Sequence, residues 1–557
     1  MPTYPAALQE RHRAALEAAV GAIRERGHHT AYPESPSRSV YGEDAAPAGE
    51  AAFKALLGTD FPLDGPGGRG RVATERSPYG IELGVAYPRA DADALLTASG
   101  RALGPWRRVD PLTRAAVAVE ILDRLNRRSF EMAHAVQHTS GQSYVMAFQA
   151  DGPHAQDRGL EAVAYAYDLV TRYAGEARWD KPQRKGEDLS MDKRFTARGK
   201  GIGLVIGCNT FPTWNSYPAL FANLVTGNTT IVKPHPGAVL PLALTVSVAR
   251  DVLSEAGFDP DTVLLAAEDP DDRIAADLAL RPEVRLVDFT GSNEFGDWLE
   301  AHARQAFVST EKAGVNTVVI DSTDAYRSML GNLAHSLSLY SGQMCTTPQN
   351  LYVPGSGIDT DEGHKSAEEV AADLAEAVTE LVSHPGRLAG VLGALANDAV
   401  LARVDAADEL GETVLAPTAP EHPEFPGARV RTPAIVRLRA ENRSTYGSEH
   451  FGPVSFVVTT SGTEESLRLL RETITARGAI TAAVHTTDDK VVELAEEAAF
   501  DAGVNLSVNL TKGVFVNQSA AFSDYHGSGA NPAATSSLTD ASFVAGRFDM
   551  VQSRRHV

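Results

Sequence analysis

Two side chains 34 positions apart, 345 minus 311, could together carry out acyl chemistry. Cys345, in SGQMC, puts a thiol just behind Gly342 and a polar run where backbone can approach a substrate closely. Glu311, in STEKAG, puts a carboxylate at the end of a strand-like segment beside the small Ala313 and Gly314. Taken alone, a cysteine is more often a small buried hydrophobe and a glutamate a solvated surface group. A thiolate attacks carbonyl carbon and leaves a thioester, and a carboxylate can activate the water that cleaves it. Cys208 is the only other cysteine in the chain, which excludes a disulfide framework. Ser309 to Lys312 spells the S-x-x-K of serine acyl-enzymes, but no S-D-N or K-T-G partner follows. With no H-E-x-x-H and no run of clustered Cys and His, no metal site is expected.

Three further boxes stand in order around this pair: TGNTTIVKPHP (226 to 236), FTGSNEFG (289 to 296) and EHFGPV (449 to 454). Together the five resemble the aldehyde dehydrogenase superfamily over roughly residues 100 to 530. The segments RERGHHTAYPESPS, NTFPTWNSYPA and SGQMCTTPQNLYVP resemble its phenylacetic acid degradation branch, the PaaN-type proteins.

The resemblance implies that Cys345 attacks an aldehyde and that Glu311 activates water against the resulting thioester. It also implies that the backbone N–H of Cys345 and an asparagine amide hold the oxyanion. Asn209 is the reading for that amide, with Thr210 as the alternative, because Asn209-Thr210-Phe211-Pro212 is one residue longer than the family's Asn-Phe-Pro. Lys233 would reach the adenosine ribose, and Thr290, Gly291 and Ser292 would lead into a helix whose N-terminus faces a pyrophosphate. Glu449 and Phe451 would hold the nicotinamide ribose and ring. Pro236 stands where many NAD-preferring relatives carry an acid, which leans the cofactor toward NADP, with NAD as the alternative. Phe211, Trp214 and Phe522 are the candidate substrate-pocket aromatics. Within this branch the substrate would be a small-molecule aldehyde, specifically a CoA-linked semialdehyde of phenylacetate catabolism. The rival readings are a CoA-acylating dehydrogenase, which Glu311 argues against, and a non-catalytic cofactor-binding relative. Cys208, next to Asn209, could approach Cys345 and form a disulfide that silences the enzyme.

Positioning these residues requires a large core, which 557 residues with 43% hydrophobic content can build. A formal net charge of −21 makes nucleic acid and anionic membrane poor partners. No apolar run reaches the roughly 20 residues of a membrane helix, so a cytoplasmic location is expected. Asp110 and Pro111 predict an N-capped helix, and a further helix is predicted over Arg158 to Tyr173. From Gly203 strand and helix alternate, which predicts an α/β fold with a Rossmann-type cofactor domain and an α/β catalytic domain. The expected division is an N-terminal extension at 1–90, a cofactor domain at 91–180 and 201–310, and a catalytic domain at 311–530. Polar arms at 181–200 and 531–557 would serve assembly into a homodimer or homotetramer.

Overall fold

The computed structural model describes residues 4–66 and 70–557; positions 67–69 of the Gly-rich stretch LDGPGGRG lie outside the described residues. Two open sheets dominate. The first has five parallel strands in the order Val263–Leu265, Thr229–Lys233, Ile202–Ile206, Val284–Gly291, Phe307–Lys312. The inner strand Ile202–Ile206 (IGLVI) is apolar and buried throughout, as expected where helices cover both faces of a parallel sheet. The second has seven strands, of which Thr317–Ile320, Asn350–Pro354 and Val454–Thr460 form the parallel centre. Its only antiparallel member, Glu412–Leu415, sits at one edge.

Helix Pro212–Thr226 is buried along its whole length and runs against helix Ala155–Thr171. Their close approach uses Gly159, where a Cβ would lie 2.8 Å from the Phe221 ring. Asp110 caps helix Pro111–Asn126 through the Thr113 amide at 2.9 Å, as its sequence context predicts.

Helix Tyr4–Glu25 of the extension packs against Pro111–Asn126, with Leu8, Leu16 and Ala19 in the same core as the main body. Arg26 reaches the opposite end of the chain, donating from Nε (3.1 Å) and Nη2 (2.6 Å) to the Ser523 carbonyl. Glu75 is half-buried and accepts from the Val239 and Leu240 amides at 2.5 and 2.8 Å, which caps helix Leu240–Glu255 from outside its own segment. Strands Glu176–Lys181, Leu189–Gly199 and Phe548–His556 form a separate antiparallel sheet that is largely exposed. Among the described residues no helix is long and apolar enough to cross a membrane.

Candidate active site

Cys345 follows a loop with an unusual backbone. Tyr340, Ser341 and Gly342 all have left-handed φ, at 54°, 49° and 64°. At Gly342 a Cβ would lie 2.6 Å from the Gly452 carbonyl oxygen, so this position requires glycine and couples the thiol loop to the EHFGPV segment. The two non-glycine residues are held in place by their side chains: the Tyr340 hydroxyl donates to the Ser140 carbonyl at 2.5 Å and Ser341 to the Gly393 carbonyl at 2.9 Å. Asn316 donates to the Cys345 and Thr347 carbonyls at 2.7 and 3.0 Å while accepting from the Ile480 and Thr481 amides. The thiol is thus tied to the seven-stranded sheet by one buried amide.

Glu311 comes from the edge strand Phe307–Lys312 of the other sheet and is buried. One carboxylate oxygen accepts from Asn215 Nδ2 at 3.0 Å, and the other lies 2.9 Å from His526 Nε2. The same imidazole nitrogen is 3.6 Å from Cys345 Sγ. With its proton on Nε2 the ring donates to Glu311; with the proton on Nδ1, Nε2 can accept from the thiol. Burial together with the neighbouring Glu311 charge pushes the Cys345 thiol well above the ordinary cysteine range. For Glu311 burial acts upward, but His526, the thiol and Asn215 outweigh it and hold the carboxyl below its usual range. At rest the proton therefore sits on sulfur and the carboxylate is ionised.

Of the expected site residues, the structure brings Cys345 and Glu311 together but leaves Asn209 aside. Asn209 precedes helix Pro212–Thr226, and its amide donates to the Thr139 carbonyl at 3.3 Å. The amide beside the reacting groups is Asn215, one turn into that helix, and Cys208 orients it by donating its S–H to Oδ1 at 3.5 Å. Cys208 and Cys345 are both free, and burial pushes the Cys208 thiol up to about 12. Asp151 fixes the helix start, accepting from the Thr213 and Trp214 amides (2.9 and 3.0 Å), the Thr213 hydroxyl (2.7 Å) and Gln142 (2.5 Å).

A cavity of about 610 Å³ opens onto Cys345, His526 and Asn215. Phe211 and Trp214 line it, and Trp214 stands edge-on to His526 with ring centres 4.6 Å apart. Phe522 does not line it: its ring is buried edge-on to His29 of the extension, 4.6 Å away, behind the cavity wall. His28 and Glu34 of the extension stand at the rim, and no lysine or arginine lines the cavity among the described residues.

Lys233, Thr290, Gly291 and Ser292 lie at or just past the ends of two strands of the five-stranded sheet, whereas Glu449 and Phe451 lie in the segment before strand Val454–Thr460 of the seven-stranded sheet. Thr290 pairs in register with Glu311, Gly291 ends the strand, and Ser292 caps helix Asn293–His302 by accepting from the Phe295 amide at 3.4 Å. The helix is exposed at this end, where its free amides and dipole suit an anion. Lys312 locks it to the strand: the stem runs under Gly296 and the ammonium meets Asp297 and Glu300 at 2.7 and 2.8 Å. Lys233 is buried and ion-paired with Glu268, which also accepts from the Ile274 amide at 2.9 Å. Glu449 is raised to about 7 by burial, only partly offset by Arg403, and the carbonyl of the half-buried Phe451 accepts from Arg403. The exposed start of helix Asn293–His302 and Lys233 at the end of its strand are donors that fit a dinucleotide.

Sequence reasoning missed Asn215, His526, Asp151, Lys312 and Glu268. His526 lies in NQSAAFSDYHGSG, and only folding places it between Glu311 and Cys345.

The model of the aldehyde dehydrogenase family matches residues 84–541. A crystal structure of an NAD-dependent aldehyde dehydrogenase from Burkholderia multivorans is 55% identical, covers 99% of both chains and superposes with a TM-score of 0.98. N-succinylglutamate 5-semialdehyde dehydrogenase from Burkholderia multivorans is 24% identical over 424 residues, 74% of this chain and 82% of that one. 2-Hydroxymuconic semialdehyde dehydrogenase from Pseudomonas sp. (strain CF600) is 27% identical over 396 residues, 68% of this chain and 76% of that one. With a family match across most of its length, the chain belongs to the aldehyde dehydrogenase family and is an oxidoreductase acting on aldehydes.

Proposed function

We propose that the protein oxidises an aldehyde to a free carboxylic acid through a thioester on Cys345, using NAD(P). The observation that carries this reading is the convergence of Cys345, His526, Glu311 and Asn215 at one end of the cavity. As sulfur bonds to the aldehyde carbon, its proton has a short path through His526 Nε2 to Glu311. The Asn215 amide and the Cys345 backbone N–H are the donors for the resulting oxyanion. A bound NAD(P) would supply the hydride acceptor that lets the thiohemiacetal become a thioester. Glu311, freed of that proton, then draws one from a water aimed at the thioester. Lys233, Thr290, Gly291, Ser292, Glu449 and Phe451 would hold the cofactor.

The ion pair of Lys233 with Glu268 favours NAD over NADP: the ammonium is already neutralised, and the acid repels a 2′-phosphate. This goes against the lean toward NADP drawn from Pro236.

The resemblance to PaaN-type proteins supports an acyl chain bearing a CoA thioester as the substrate's far end. A cavity without lysine or arginine supports an uncharged chain inside it, as that would be, with the nucleotide outside. The largely exposed three-stranded sheet supports assembly into a homodimer or larger oligomer.

The test is single- and multiple-turnover kinetics of wild type, Cys345→Ala and Glu311→Gln. Cys345→Ala should be inactive. Glu311→Gln should release one reduced cofactor per site and then stall as the thioester, and free CoA should not be required. A strict CoA requirement, or a Glu311→Gln variant that turns over normally, would overturn the reading.

A further inference from the structure

We propose that Cys345, His526 and Glu311 also form a binding site for a soft divalent cation of the zinc class, and that occupancy reversibly shuts the enzyme. The three candidate ligand atoms, one sulfur, one imidazole nitrogen and one carboxylate oxygen, all lie within 4.8 Å of one another. They come from three segments far apart in the chain, so no sequence spacing announces them.

The geometry is that of ligands around a common centre. In a hydrogen-bonded relay the two ring nitrogens of a histidine commonly face different partners, one toward the nucleophile and one toward the acid. Here Nε2 alone faces both the sulfur and the carboxylate, while the buried Nδ1 has no hydrogen-bond partner among the described residues. Tetrahedral zinc with ligands at about 2.3 Å (S), 2.05 Å (N) and 2.1 Å (O) sets edges of about 3.6 Å for S···N and about 3.4 Å for N···O. The observed separations are 3.6 and 2.9 Å, so the sulfur and nitrogen already stand at zinc spacing. The carboxylate must move back by about half an ångström, the difference between sharing a proton and sharing a cation.

Charge and access agree. A thiolate and a carboxylate neutralise a divalent ion in a buried site, and a neutral imidazole completes three protein ligands. Asn215 already holds the second carboxylate oxygen at 3.0 Å, a support of the kind that orients metal ligands. Cys345 and His526 both line the cavity, which gives the ion a route in and leaves its fourth position to water. Binding balances as M²⁺ plus the Cys345 thiol giving the bound thiolate complex plus one released proton. With its sulfur on the metal, Cys345 has no free nucleophile.

The test uses the full-length protein and Co²⁺ as a visible probe, with Zn²⁺ for inhibition. Wild type should bind one Co²⁺ per chain with a thiolate-to-cobalt charge-transfer band and release one proton per ion in weak buffer. Zn²⁺ should remove activity, and a chelator should restore it. Cys345→Ala and His526→Gln, both melting like wild type, should lose the band. Asn215→Ala should weaken binding about 10- to 100-fold. Absence of a one-to-one complex, or a band that survives His526→Gln, would overturn the site. Because the band needs no turnover, a protein that binds Co²⁺ in this way but oxidises no aldehyde would uphold the site and sink the catalytic reading alone.

Discussion

Replacing Asn215 by alanine tests where the oxyanion is held. Asn215 is buried, donates to Glu311 at 3.0 Å and receives the Cys208 S–H at 3.5 Å, whereas Asn209 makes a single 3.3 Å bond to the Thr139 carbonyl. Losing one preorganised oxyanion donor costs about 2.7 to 4 kcal/mol in the barrier, or roughly 10²- to 10³-fold in rate. Asn215→Ala also strips Glu311 of one hydrogen bond to an ionised group, a loss of about 1.5 to 3 kcal/mol that acts on the hydrolytic step as well. Asn209→Ala removes one ordinary hydrogen bond, about 0.5 to 1.5 kcal/mol of stability, and leaves the reacting atoms alone. Rapid mixing of enzyme, cofactor and aldehyde, followed by reduced-cofactor absorbance, separates the first turnover from steady state. The expectation is a first turnover slowed at least 100-fold in Asn215→Ala, on the scale of a lost oxyanion donor, and near wild type in Asn209→Ala. Asn215→Asp, nearly isosteric but with a carboxylate facing Glu311, should be slowed as strongly. A crippled Asn209→Ala beside a nearly normal Asn215→Ala would refute the reasoning.

Other groups give equally direct expectations. Glu449 is raised to about 7 by burial, so its carboxylate becomes the better acceptor for ribose hydroxyls only above that pH. Cofactor affinity, measured by titration calorimetry, should fall as pH drops through about 7, and Glu449→Gln should flatten that step. Asp151→Ala leaves two amides, a hydroxyl and a carboxamide without their acceptor at the start of helix Pro212–Thr226, which should cost roughly 3 to 5 kcal/mol in denaturant unfolding. Asp151→Asn, which keeps one oxygen, should cost less. Glu75 is also raised to about 7 by burial, so its contribution is fully present below the ordinary value of 4.5 and is lost as pH rises through about 7. The melting temperature of wild type relative to Glu75→Gln should therefore decline across that window.

What could be read from the sequence was whatever short-range chemistry decides. Strands Thr229–Lys233 and Asn350–Pro354 are visible as β-rich apolar runs, and Ser292 and Asp110 as caps, because each signal lies within a few residues. Cys345 and Glu311 stood out by residue type and box. Asn209 misled because its match to a family box is local, whereas the amide that reaches the site is chosen by where the helix begins, which Pro212 and Asp151 decide together. His526 and Phe522 lie in an irregular segment whose side-chain directions follow from distant packing, so nothing nearby distinguishes the ring facing the thiol from the one facing His29. The arm at Leu189–Gly199 showed only charge; its strand state depends on pairing with Phe548–His556, more than 300 residues later.

The bond from Arg26 to Ser523 spans 497 positions, which places a clock on the birth of this protein. At roughly 5 to 20 residues per second, ribosomal synthesis needs about 25 to 100 s to deliver the second partner after the first. For all that time the extension's first helix has emerged, but the His526 segment, with one wall of the cavity, does not yet exist. Newborn chains should therefore pass through a long inactive adolescence, and the reactive thiol becomes competent only after the segment carrying His526 has left the ribosome.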